Sequence, residues 1–380
     1  MTFEPAERVA DVPPSGIRRF FELAEEMDDI ISLGVGEPDF SAPWAAREAG
    51  IASLERGRTS YTANRGMREL RELIAGDMQT RYGLEYDPDD EVLVTTGASE
   101  AIDLAYRALI DPGDTVAIAQ PSFVSYVPKA IFADAEPLPV QTRREDEFKL
   151  TREVLEEAGA AAADVLVMCY PNNPTGATMT GDELQEVAAF ARENDLLVFS
   201  DEIYSALSYE HEHTSIATLE GMRERTVVFN GFSKAYAMTG LRLGYAMAPA
   251  EAIDAMNRIH QYTMLSAPTT AQYAAIEALE SCSDEVETMC NQYDRRRKFV
   301  LSRFDEMGID CFRAAGAFYV FPACPWDDTT AFAEALLEEE RVAIVPGEAF
   351  GGEGHLRVSY ATGLEDLKTA MNRIESFISG

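Results

Sequence analysis

Five short apolar runs punctuate the middle of the chain: Val92–Thr95, Val116–Ala119, Val165–Met168, Leu196–Phe199 and Thr226–Phe229. None alternates apolar with polar positions, so each is expected to be covered on both faces, as strands of a parallel sheet are. Helical patterns lie between them. Thr180 and Glu183 have the spacing of a capping box, and Leu184, Val187, Ala188 and Ala191 then form one apolar stripe. Strands and helices in alternation predict a doubly wound α/β fold. Nearer the start, Ser15 ahead of Ile17, Phe20, Phe21 and Ala24 predicts a capped amphipathic helix. A turn-rich stretch from Gly34 to Pro38 follows. Beyond about residue 285 the pattern changes to a long charged helix around Tyr293–Lys298, then to short strands near Phe318–Phe321 and Leu356–Ser359. A chain of 380 residues suits two domains. The division expected is a large α/β domain over 47–280 and a smaller α+β domain over 281–380, joined by an N-terminal segment over 1–46.

Polar and special residues stand at the ends of the five runs: Gly97-Ala98-Ser99, Phe123, Asn173, Asp201 and Lys234. Open α/β sheets bind ligands at the carboxyl ends of their strands. Lys234 sits in a turn of small and aromatic residues, Asn230 to Tyr245, with Arg242 eight positions on. A lysine desolvated there can present a neutral amine and form a Schiff base, and the arginine offers a planar fork for a phosphate. Together they suit pyridoxal 5′-phosphate, a carbonyl cofactor with a phosphate tail. A plain surface lysine is the alternative. Ala98 and Ser99 open a helical stretch whose backbone N–H groups and dipole attract an anion, although an ordinary strand-to-helix turn has the same composition. Ser233 adds a hydroxyl. Asp201 closes an apolar run, where a carboxylate needs a partner; a protonated pyridine nitrogen would serve, as would a structural salt bridge. Tyr204 could bond a ring oxygen. Asn173, within the turn Tyr170–Gly176, offers an amide, and Phe123 either fills the core or stacks on a ring. Arg357 lies in an apolar segment and needs an anion, from a protein carboxylate or from a substrate.

Charge narrows the field. Acidic residues outnumber basic ones by 66 to 32, for a net charge of −34, and only five of the basic residues are lysines. Such self-repulsion is tolerable where concentrated salt screens it, so a protein adapted to high intracellular salt is expected, with an ordinary acidic enzyme as the alternative. Nucleic acid is a poor partner for so acidic a chain. No apolar run of about 18 residues and no basic amphipathic stretch points to a membrane. Met1–Val12 has no secretory pattern, and five scattered cysteines without a CxxC pair point to reduced thiols in the cytoplasm. The four histidines lack metal-ligand spacing, so no metal is expected. Neither a G-x-S-x-G elbow nor a phosphate-binding G-x-x-x-x-G-K-[ST] loop occurs, and no G-x-G-x-x-G follows a strand, which weighs against a nicotinamide dehydrogenase.

The motifs GVGEPDF, PNNPTG, SDEIY, GFSKAYAMTGLRLGY, GAFYVFP and HLRVSYA, read with their spacing from Ser15 to about Ile378, resemble the class I/II pyridoxal-phosphate-dependent aminotransferases of fold type I. The archaeal aromatic and broad-specificity enzymes are the most similar, the bacterial-type aspartate aminotransferases somewhat less so. The resemblance implies a mostly parallel seven-stranded sheet between helices, with a smaller α+β domain. It implies that Lys234 carries the cofactor and later moves a proton, that Asp201 pairs with the pyridine nitrogen, and that Tyr204 and Asn173 bond the ring hydroxyl oxygen. Phe123 would stack on the ring. The backbone at Ala98 and Ser99, with Ser233 and Arg242, would hold the phosphate. Arg357, the Gly36 backbone and Asn173 would bind the substrate carboxylate. Tyr61 would reach the phosphate site of a neighbouring subunit, so a homodimer with shared sites is implied.

Two positions depart from the pattern. Many relatives have serine where Gly231 stands, and the bacterial-type aspartate enzymes have lysine where Ser99 stands. Phe20, Tyr262, Phe318 and Tyr319 suggest a pocket tolerant of apolar or aromatic side chains. The activity expected is ping-pong transfer of an amino group from an L-amino acid, aromatic or broad in range, to a 2-oxo acid such as 2-oxoglutarate. Alternatives are an aspartate aminotransferase, a lyase eliminating a β-substituent, and a non-catalytic effector-binding module.

Overall fold

The computed structural model describes residues 3–13, 27 and 29–379. The helix expected from Ser15, with Ile17, Phe20, Phe21 and Ala24, lies outside them. Twelve strands are described: β1 (Ile31–Ser32), β2 (Val92–Thr95), β3 (Thr115–Gln120), β4 (Glu136–Gln141), β5 (Val165–Cys169), β6 (Leu197–Asp201), β7 (Thr226–Gly231), β8 (Gly244–Met247), β9 (Tyr319–Val320), β10 (Val342–Ala343), β11 (Val345–Pro346) and β12 (Leu356–Ser359). Seven form one sheet in the order β2-β8-β7-β6-β5-β3-β4. It is parallel except for β8, which runs against both neighbours.

The five apolar runs became β2, β3, β5, β6 and β7. Almost all of their residues are buried whichever face they point to, which is why they carry no polar alternation. The two remaining strands have weaker patterns. β4 reads Glu-Pro-Leu-Pro-Val-Gln and is an edge strand, where missing proline N–H groups are tolerated. β8 begins at Gly244, and a Cβ there would come 2.3 Å from the Ala98 nitrogen. The glycine lets the sheet approach the turn at the start of the helix Ala98–Leu109. Thr180 caps the helix Gly181–Glu193 with Glu183 in a complete capping box, as the spacing predicts.

A three-stranded antiparallel sheet, β11-β12-β9, stands beside the large one, and β1 pairs in parallel with β10. Residues near the N-terminus are thus hydrogen-bonded to the last third of the chain. The helix Ser283–Glu306 connects the two regions. Its Arg296 holds Asp39 by a two-pronged ion pair at 2.7 and 2.9 Å, and its Tyr293 packs edge-on against Phe40. The apolar core is continuous from the large sheet to Phe318–Phe321 and the C-terminal helix. Among the described residues, no helix is long and apolar enough to cross a membrane.

Candidate active site

A cavity of about 480 Å³ opens at the carboxyl ends of β3, β5, β6 and β7. Nearly every residue singled out in the sequence meets there. Lys234 follows β7 directly. Its Nζ donates to the Gly36 carbonyl at 2.5 Å and lies over the rings of Tyr204 and Phe318. Burial, aided by the positive charge of Arg357, lowers its pKa to about 8. A neutral amine is therefore accessible close to physiological pH.

Asp201 is the last residue of β6 and is buried. Oδ2 accepts from the Tyr126 hydroxyl at 2.6 Å and Oδ1 from the Ile203 N–H at 3.2 Å. Among the described residues no cationic side chain forms an ion pair with it, and burial raises its pKa to about 6. Arg357, on β12, is 3 % exposed. Nη1 donates to Asn173 Oδ1 at 3.0 Å and Nη2 to the Gly34 carbonyl at 2.5 Å, while Nε is buried and has no partner among the described residues. The rings of Tyr319 and Phe350 flank the guanidinium at 4.7 and 4.5 Å. Burial pulls its pKa below the ordinary value. Among the described residues, then, an ionised fork at the cavity meets only neutral hydrogen-bond partners.

The far end of the cavity suits an anion. Gly97 has a φ of +77°, and a Cβ on it would come 2.6 Å from Arg242 Nη2, so the guanidinium rests against the turn. Ala98 and Ser99 form the first turn of the helix behind it, and Ser233 lines the same space. Phe123 lines the wall and meets Tyr126 edge-on. The Tyr204 hydroxyl lies 3.0 Å from that of Tyr319. At Gly36 a Cβ would come 2.4 Å from the Tyr319 hydroxyl, so the backbone itself forms that wall.

Tyr61 does not line the cavity: it is 81 % exposed on the outer surface. Of the residues suggested for an apolar pocket, Tyr319 lines the cavity, Phe318 packs behind it, Tyr262 is exposed and Phe20 is outside the described residues. Gly231 is in register with Gly244, and a Cβ on it would come 2.8 Å from the Gly244 Cα and 2.9 Å from the Leu243 carbonyl. The glycine therefore fits this packing of β7 on β8, which accounts for the departure from the pattern.

Sequence reasoning missed Tyr126, Glu37 and Thr239. Tyr126 starts a helix three residues past Phe123, one turn along, and only the fold shows that it meets Asp201. Glu37 accepts a hydrogen bond from Thr239 across the cavity mouth. Among the described residues no group of histidine, cysteine or carboxylate side chains is placed to hold a metal.

A family model for aminotransferase class I and II matches residues 28–374. The aspartate aminotransferase of Pyrococcus abyssi is 43% identical over 98% of both chains. An aromatic-amino-acid aminotransferase of Thermococcus litoralis is 41% identical, again over 98% of both. The crystal structure of an aromatic aminotransferase from Pyrococcus horikoshii superposes with a TM-score of 0.90 at 43% identity, covering 96% of this chain and 99% of that one. The architecture is that of fold type I, and the chain belongs to the aminotransferase class I and II family.

Proposed function

We propose that the cavity binds pyridoxal 5′-phosphate and that the enzyme transfers the amino group of an L-amino acid, aromatic or broad in range, to a 2-oxo acid such as 2-oxoglutarate. The observation that carries this reading is a set of three charged side chains around one cavity that form no ion pair with any described residue: Asp201 and Arg357, both buried, and the partly buried Lys234. When bound, the cofactor supplies an aldehyde for amines and an electron-accepting ring.

The chain's own residues divide the remaining work. Arg242, Ser99, Ser233 and the backbone of Ala98 hold the phosphate at the helix N-terminus. Asp201, ionised once a cation faces it, keeps the ring nitrogen protonated, and Tyr126 orients its carboxylate. Phe123 covers one ring face, and Tyr204 with Asn173 offers hydrogen bonds to the ring oxygen. Arg357 takes the substrate α-carboxylate as a two-pronged pair, exchanging the Gly34 carbonyl for a charged partner, with the Gly36 backbone and Asn173 alongside. Lys234 would hold the cofactor through its amine, and with that amine free its Nζ would serve as the base and acid that moves the proton at the substrate α-carbon. On this reading residues 47–280 hold the cofactor, and residues 281–380, joined by 1–46, carry Arg357 onto the substrate. Exposed Tyr61 supports a homodimer in which each copy completes the other's phosphate site.

Ser99 at the position of the aspartate enzymes' lysine favours apolar and aromatic donors over a strict preference for aspartate. The net charge of −34 supports a cytoplasm of high salt. Borohydride reduction of the protein loaded with pyridoxal phosphate should fix the label on Lys234, and Lys234→Ala should lower turnover by at least about 10⁴-fold. A Lys234→Ala variant with near-native turnover would refute the reading. Tyrosine, phenylalanine and aspartate compared as donors to 2-oxoglutarate in concentrated KCl identify the substrate class. Release of ammonia and pyruvate from a cysteine-like substrate without an acceptor would reassign the enzyme as a lyase.

A further inference from the structure

The helix Ala98–Leu109 opens with Gly97, which has no side chain to cap it. Glu100 stands in its first turn. Oε2 accepts from the Thr96 N–H at 2.5 Å, one residue before the usual reach of a capping carboxylate. Oε1 accepts from His260 Nδ1 at 2.7 Å. A carboxylate only accepts, so Nδ1 carries the hydrogen. His260 is fully buried on the helix Ala250–Thr263, 160 residues away in sequence, and its other nitrogen, Nε2, is buried with no partner among the described residues.

These features are awkward for stability alone. An unpaired buried nitrogen costs folding free energy, and a glutamine or apolar residue would avoid it. A carboxylate is also a poor neighbour for an anion bound at the same helix terminus. The contacts make sense together. Glu100 holds the Thr96 amide and so shapes the Thr96–Gly97 turn, leaving Ala98 and Ser99 to line the cavity. The imidazole N–H pins Glu100, and its dipole screens part of the carboxylate's charge.

We propose that Glu100 and His260 form a clasp that shapes the phosphate-binding turn and screens the carboxylate from its anion; both are positioning residues, and the inference rests on the cofactor reading above. The test compares an anionic ligand with its neutral counterpart. Cofactor-free protein is titrated with pyridoxal 5′-phosphate and with pyridoxal, followed by absorbance, and unfolding midpoints are recorded in parallel. His260→Gln should weaken pyridoxal phosphate about tenfold and leave pyridoxal within about twofold. Glu100→Gln keeps an acceptor for Thr96 without the charge and should hold pyridoxal phosphate within about threefold of wild type, alone or combined with His260→Gln. Glu100→Ala loses the acceptor and should weaken only the phosphorylated ligand; this contrast decides the matter if His260→Gln does not fold. Equal weakening of both ligands, or none, overturns the clasp and leaves the cofactor reading standing. Wild-type protein that binds neither ligand overturns both.

Discussion

Arg297 and Arg357 are 1 % and 3 % exposed, yet their partners are opposite in kind. Arg297, where the long helix meets the loop after β6, donates to Asp294, Glu210 and the Ala314 carbonyl, so its charge is matched within the chain. Arg357, at the cavity, meets two neutral oxygens, and its Nε has no partner among the described residues. The carboxylates repeat the contrast. Glu202 accepts from His213, Ser200 and Ser215, while Asp201 beside it has, among the described residues, a tyrosine and one amide. Charges that hold the fold are matched internally; those facing the cavity are left for a ligand. Unmatched buried charge is costly, so its concentration around one opening marks a site and not an accident of packing.

Neutralising each arginine at similar volume is the severest test of that contrast. Arg357→Met should lower kcat/KM by about 10³-fold, or about 4 kcal/mol, mainly through substrate binding. Its unfolding midpoint should stay level or rise, because an underpaired buried charge is gone. Arg297→Met should do the reverse: a loss of about 2 kcal/mol of stability, through its lost hydrogen bonds to the two carboxylates and to the Ala314 carbonyl while Glu210 keeps Arg313 and Asp294 keeps Lys298, and little change in kcat/KM of the folded enzyme. Denaturant melts and initial rates on the same preparations separate the two patterns. If both variants lost stability alike, partnership would not be what distinguishes the regions.

Asp201 gives a pH signature of the same logic. Its pKa of about 6 lies above the ~3.9 of an unfolded aspartate, so the cofactor-free fold binds that proton more tightly than the unfolded chain does. The associated stability is fully present below about pH 4 and is lost as pH rises through about 6, by about 3 kcal/mol. Asp201→Asn should flatten this component, read as the difference between wild-type and variant unfolding curves across that window. Parallel curves would mean that the carboxyl is satisfied inside the protein after all. The smallest effect belongs to a matched pair far from the chemistry. Thr180→Ala should cost about 1 kcal/mol in thermal unfolding and leave kcat/KM unchanged.

Much of the fold was legible because burial on both faces leaves unbroken apolar runs, and five strands announced themselves that way. β4 did not, because an edge strand tolerates Pro137 and Pro139; β8 did not, because it is short and starts with a glycine chosen for closeness. In the site, Lys234, Asp201 and Asn173 were readable as polar residues ending apolar runs. Tyr126 and His260 were not, since each looks like an ordinary helix residue until its distant partner is known.

The sequence by itself determined which side chains end the strands, and therefore which chemistry collects at one rim of a parallel sheet: local pattern sets strand, turn and helix, and parallel strands carry their ends to one side. Tertiary structure alone decided which of those charges found a partner. Arg357, Asn173 and Gly34 are far apart in the chain, and only the docking of β12 and the Gly34–Gly36 backbone against the large sheet brings them within hydrogen-bonding distance. Desolvation and pairing are properties of that three-dimensional neighbourhood, and they are what shift Lys234 and Asp201 toward neutral pH.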